Sequence, residues 1–168
     1  AFDGGDGTFA LVTSNGQDLC VASYRADGAA PTAREAKEKT IVSFEGGGGY
    51  APEALPVFER AHLIFFIRCN ASTCKLDLRT AFPAAKSLVF IDSPAEHVAR
   101  ALSLLPAAKS VDIMLCALDA PLVRAVAQRA DGARLSISNI SADLIEEFAA
   151  AIPAGARPDT ISLCVRRD

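Results

Sequence analysis

The sequence predicts an α/β fold: a short solenoid of strand–helix repeats built on a parallel sheet and fronted by an N-terminal β-hairpin cap. One phrase is written almost twice, FPAAKSLVFID from Phe82 and LPAAKSVDIML from Leu105, 23 positions apart. Looser copies open at Leu55 (LPVFERAHLIFFIRC), Arg129 (RADGARLSISN) and Ile152 (IPAGARPDTISLCV). Strand-like runs therefore centre near Val42, Phe65, Val89, Asp112, Ser136 and Ser162, at separations of 23, 24, 23, 24 and 26. Helix signals fill the intervals between them. A fixed period of this size marks a repeat architecture.

The elements follow in order. TFALVTSNGQDLCVASY reads as two short strands around Asn15-Gly16, the strongest short hairpin signal, which predicts a hairpin over roughly 8–24. Residues 1–30 are thus a hairpin or cap and 31–168 a βα repeat domain, one compact unit overall. Thr32 with Glu35 offers a capping box ahead of AREAKEK, and KTIVSF at 39–44 is strand-like. The connection 45–62 holds four glycines, then Pro52 and Pro56, leaving room for a short helix at most. The stretch 70–82, with CKLDLRT, suits a helix or an extended segment. In SPAEHVARALSLL, Ser93 stands as cap, Pro94 at the first helical position and Glu96 at the third, ahead of the stripe Val98, Leu102, Leu105. Asp119 precedes the stripe Leu122, Val126, Ala130, and Ser141 precedes Leu144, Phe148, Ile152.

The period has a geometric consequence. A five-residue strand spans about 17 Å and an eleven-residue helix about 16 Å, so each helix returns the chain to where its strand began. The next strand then lies parallel to the last, by a right-handed crossover. A curved solenoid and a small doubly wound α/β domain both satisfy this; the even spacing favours the solenoid. KSVDIMLCALDAPLVRAVAQRA and ARLSISNISADLIEEFAAAI resemble the strand–loop–helix units of leucine-rich repeats, over about 40–166. Cys116 and Asn139 echo that family's Asn or Cys ladder position, one residue apart when the repeats are aligned, although Val, Ile or Phe often replaces leucine. The resemblance implies a protein-binding domain that does no chemistry.

Alternate residues of a strand point to opposite faces. Leu88 and Phe90, Val111 and Ile113, Leu135 and Ile137, and Ile161 and Leu163 share the face expected to meet the helices. The other face carries Asp112, Ser136, Ser138 and Ser162 in the later repeats. In the earlier repeats the reading assigns it Ile64, Phe66, Val89, Ile91 and Met114, an apolar stripe too large to leave in water. Either the front hairpin or the glycine-rich segment folds over the stripe, or a partner protein binds it. Those five residues are the candidate partner-binding site.

Little else points to chemistry. The chain is 51 % hydrophobic and 22 % charged with a net charge of −3, which favours neither nucleic acid nor anionic lipid as a partner. The longest strongly apolar run, LIFFI at 63–67, is far short of the roughly 20 residues of a spanning helix. Five widely spaced cysteines, an odd number, fit a reducing intracellular compartment, cytosol or organelle matrix. The start at Ala1 suggests a processed or trimmed chain, and VRRD at 165–168 reads as charge that blunts a sheet edge. EGGGGY lacks the Lys-Ser/Thr of a P-loop, DGGDG is a flexible stretch, and His62 and His97 have no catalytic companions. No catalytic residue, cofactor or metal is expected. The function indicated is a non-catalytic interaction or assembly domain, an accessory subunit of a larger complex. The alternative is a small α/β enzyme or nucleotide binder with its site at the strand C-termini, near Asp92, Cys116 and Asn139.

Overall fold

A computed structural model gives the fold; it describes residues 2–3, 8–12, 18–25, 33–45, 56–69 and 77–166. Nine strands form one sheet: β1 (Phe2–Asp3), β2 (Thr8–Val12), β3 (Asp18–Arg25), β4 (Ile41–Glu45), β5 (Leu63–Ile67), β6 (Ser87–Ile91), β7 (Ser110–Met114), β8 (Arg134–Ile140) and β9 (Thr160–Val165). The helices are α1 (Ala33–Glu38), α2 (Leu78–Ala81), α3 (Ala95–Leu104), α4 (Ala120–Ala127) and α5 (Ala142–Ala151). Each strand lies beside its neighbours in the chain, and the order never reverses. Strands β1 to β3 pair antiparallel; from β3 to β9 every pairing is parallel.

The repeated phrase encodes a turn and an anchor. Phe58, Phe82, Leu105 and Ala130 are buried, and the carbonyl of each accepts the backbone N–H three residues on, at Ala61, Ala85, Ala108 and Ala133. Those alanines are themselves 4 % exposed or less, so a longer side chain there would have to displace the core. Pro83 and Pro106 hold the second turn position, where their fixed φ is already suitable. In the later copies Gly132 (φ 60°) and Gly155 (φ 84°) take the third position, in the left-handed region that glycine enters without strain. The next strand is then stitched to the last: the N–H groups of Lys86 and Ser87 both donate to the His62 carbonyl, and those of Lys109 and Ser110 to the Lys86 carbonyl.

At the other end of each strand the chain turns through a left-handed residue: Arg68, Asp92, Leu115 and Asn139 have φ between 48° and 64°. The residue that follows is buried, giving the series Cys69, Ser93, Cys116 and Ile140. The Cys69 thiol donates to the Phe44 carbonyl of β4 (3.7 Å), and the Ser93 hydroxyl to the Phe66 carbonyl of β5 (3.3 Å). Cys116 accepts the Ser93 N–H at 3.4 Å and donates to Met114 O at 3.4 Å. These contacts tie each loop to the adjoining repeat. Cys116 belongs to this ladder, whereas Asn139 occupies the exposed left-handed position before it, where asparagine is well tolerated.

Two of the expected capping arrangements are not made. Ser93 spends its hydroxyl on the Phe66 and Ile91 carbonyls, and Pro94 is the N-cap of α3, so no capping box forms. Ser141 precedes α5 without a side-chain cap bond. Asp119 does cap α4, accepting the Leu122 N–H at 2.8 Å, and Asp77 caps the short α2 from the Thr80 N–H. The Thr32–Glu35 box and the Asn15-Gly16 turn lie outside the described residues. So does 46–55; from 56 to 62 the chain makes a turn and no helix.

One core joins all five helices to one face of the sheet, through Val42, Phe44, Ile64, Phe66, Leu88, Phe90, Val111, Ile113, Leu135 and Ile137. Phenylalanine rings stack across the repeats, Phe44 on Phe66 at 5.7 Å and Phe66 on Phe90 at 5.1 Å. His97 of α3 sits edge-on to Phe66 at 5.1 Å and is 1 % exposed; its burial pushes the imidazole pKa down to about 4. Arg129 clamps the end of α3: its guanidinium donates to the carbonyls of Leu102, Leu105, Pro106 and Ala108. Among the described residues no helix is long and apolar enough to cross a membrane.

Candidate functional site

The side of the sheet turned away from the helices is set by strand parity and register. Register pairs Leu63 with Ser87, Phe65 with Val89, and Ile67 with Ile91, then Val89 with Asp112 and Ile91 with Met114. All of these alternate with the core residues and are partly exposed. Strands stand about 4.8 Å apart, so Leu63, Phe65, Ile67, Val89, Ile91 and Met114 form one contiguous apolar patch on β5 to β7.

Three of the five predicted residues lie in this patch: Val89, Ile91 and Met114. Ile64 and Phe66 do not. Ile64 pairs with Leu88 and Phe66 with Phe90, which places both on the helix side at 0 % exposure. LIFFI is apolar at every position, so its own pattern cannot say which parity faces the helices. The 24-residue period carries the missing signal: Phe65 and Val89 stand one repeat apart and share a face, which assigns Leu63, Phe65 and Ile67 to the open side.

Beyond Met114 the same face turns polar. Ser110, Asp112, Arg134, Ser136, Thr160 and Ser162 line a shallow groove of ≈ 230 Å³. The change follows composition: strands β7 to β9 alternate apolar core residues with Ser, Asp, Thr and Arg, while β5 and β6 carry large side chains on both faces.

The described strands of the hairpin do not lie over the patch. Its β3 pairs edge to edge with β4, so β2 and β3 extend the sheet sideways. The glycine-rich segment 46–55 is outside the described residues.

At the strand C-termini the residues of the alternative site are separated by role. Asp92 and Asn139 are exposed at left-handed positions, and Cys116 is buried between them in sequence. Burial pushes the Cys116 thiol up, which keeps it protonated as a hydrogen-bond donor. Leu115 stands beside it at φ 56° and 67 % exposed, the largest exposure among the big apolar side chains described. Among the described residues no group of three or more His, Cys, Asp or Glu is placed to hold a metal ion.

No family model, no curated protein and no solved structure matches the chain.

Proposed function

We propose that this chain is a short βα solenoid, similar to leucine-rich repeats, that works as a non-catalytic interaction or assembly module. A partner protein binds the open face of the sheet. The carrying observation is the contiguous apolar patch on that face, beside a groove that offers hydroxyls and two opposite charges. An apolar patch bordered on one side by polar groups is what a protein-binding surface offers.

The solenoid reading is supported by a strand order that never reverses and by helix side chains that share a core with one face only. A doubly wound sheet would carry helices on both faces and a reversal point for its ligand. The backbone-bonding series Cys69, Ser93, Cys116 supports the leucine-rich-repeat likeness, since it does the work of that family's ladder. The free thiols Cys116 and Cys164 accord with a reducing compartment.

Val89→Asp and Ile91→Asp test the reading. Each puts a carboxylate on the open face and leaves the helix side untouched. Partners recovered with the unaltered chain and identified by mass spectrometry should be lost by both variants, with thermal stability held within a few degrees. A partner retained by both variants overturns the assignment of this face.

A further inference from the structure

We infer that the partner of the open face is a helical protein segment with large apolar side chains over β5 and β6, a lysine or arginine over Asp112, and a carboxylate over Arg134. This adds the partner's chemistry to the open-face reading and rests on that reading. Across the open side of β5 to β9 only two residues are charged, Asp112 on β7 and Arg134 on β8. Register seats Asp112 between Val89 of the apolar patch and Ser136 of the polar groove. Arg134 stands opposite Ser110, one strand further on and two residues back.

The two charges do not satisfy one another. Strands about 4.8 Å apart, rising about 3.3 Å per residue, put their Cα atoms about 8 Å from each other. Among the described residues neither the Asp112 carboxylate nor the Arg134 guanidinium makes a hydrogen bond or an ion pair. Asp112 is half-buried, with Val89 beside it across the strands and Met114 two residues along, so apolar side chains take up part of the space its water would fill. A carboxylate in that position favours a cation that arrives together with apolar groups. The apolar end of the face also runs onto the rim at Leu115, which is 67 % exposed at φ 56°, where the other repeats place Arg68, Asp92 and Asn139. Leucine there bears both a left-handed backbone and an apolar side chain in water, and a bound partner relieves the second cost.

Spacing selects the helix. A helix laid across the strands advances about 5.4 Å per turn, close to the step of about 4.8 Å from strand to strand, so one side chain per turn meets each strand. An extended segment shows the same face only every 6.7 Å or so and falls out of step within two strands. With residue i of the helix over Phe65, residue i+3 or i+4 lies over Val89, i+7 over Asp112 and i+11 over Arg134.

The test immobilises the 168-residue chain, selects from a phage-displayed library of random peptides of about 16 residues, and titrates the synthesised winners by fluorescence anisotropy. Selected peptides should carry apolar side chains at helical spacing, a lysine or arginine one turn further on, and an aspartate or glutamate one turn beyond that. Asp112 and Arg134 lie outside the core, so their variants should keep the melting curve of the unaltered chain. Asp112→Asn should weaken binding about fivefold, and Asp112→Arg more. A peptide whose basic residue is exchanged for glutamate should regain affinity for Asp112→Arg and for no other form of the chain. Val89→Asp should abolish binding of every selected peptide. Peptides that require Val89 yet are indifferent to Asp112→Arg, or that place their charges at extended spacing, overturn this inference and leave the open-face reading standing. A library that yields no binder, or binders indifferent to Val89→Asp, overturns both.

Discussion

Phe65 and Phe66 are adjacent in the chain, and truncating them should have opposite consequences. Phe66 is 0 % exposed, stacked between Phe44 at 5.7 Å and Phe90 at 5.1 Å, with His97 edge-on at 5.1 Å. Phe66→Ala removes a ring from the middle of this stack. Such truncations cost about 3–5 kcal/mol, because the surrounding rings cannot collapse fully into the space. For a domain of this size each kcal/mol moves the melting temperature by about 2–4 °C, so Tm should fall by about 6–20 °C. Phe65 is on the other face and partly exposed, and its truncation leaves no enclosed cavity. Phe65→Ala should cost about 1 kcal/mol, a Tm change of about 2–4 °C. Calorimetry or circular dichroism melts on the two variants, side by side, measure the difference. Equal losses, or a larger loss for Phe65→Ala, would show that the assignment of faces on β5 is wrong.

Three further outcomes are expected. His97 is neutral in the folded core with a pKa near 4, against 6.5 when unfolded, so its contribution is complete above pH 6.5. As pH falls from 6.5 to 4 the unfolded state takes up a proton that the folded state refuses, and about 3 kcal/mol of stability is lost; His97→Leu should remove that slope from urea melts taken across this range. Arg129→Met removes the guanidinium that donates to the carbonyls of Leu102, Leu105, Pro106 and Ala108, of which Leu105 keeps the Ala108 N–H, and should cost about 3 kcal/mol, with Arg129→Lys in between because an ammonium cannot span four acceptors. Chemical denaturation midpoints will report this order. Asp119→Ala should cost about 1 kcal/mol through loss of its bond to the Leu122 N–H, whereas Ser141→Ala, which removes no cap bond, should be near neutral in the same assay.

The repeat was legible because it is a local property written many times. A five-residue apolar run, a turn built on proline or Asp-Gly, and a helical stripe recur every 23 or 24 residues, and they place β4 to β9 and α3 to α5 correctly and in order. Strand β7 was legible even in its faces, since Val111 and Ile113 alternate with Ser110, Asp112 and Met114. Asp119 announced its helix because a cap acts over three residues. The hairpin, too, is visible from its own residues, as β2 and β3 pair where the sequence places them.

What the sequence left open was decided by contacts between repeats. LIFFI shows no alternation of its own, so its facing is legible only by reference to the next repeat, whose register against it turns Ile64 and Phe66 inward and Phe65 outward. Ser93 has the chemistry of a helix cap, yet buried carbonyls of the adjoining repeat, at Phe66 and Ile91, hold its hydroxyl. Nothing near Arg129 in the chain shows what its guanidinium bonds; the end of α3, more than 20 residues earlier, supplies the acceptors. Periodicity and caps are set by neighbours along the chain, whereas the facing of a uniformly apolar strand and the partner of a buried polar group depend on residues one repeat away. The first kind of information is complete in the amino-acid sequence, and the second exists only once the strands are side by side.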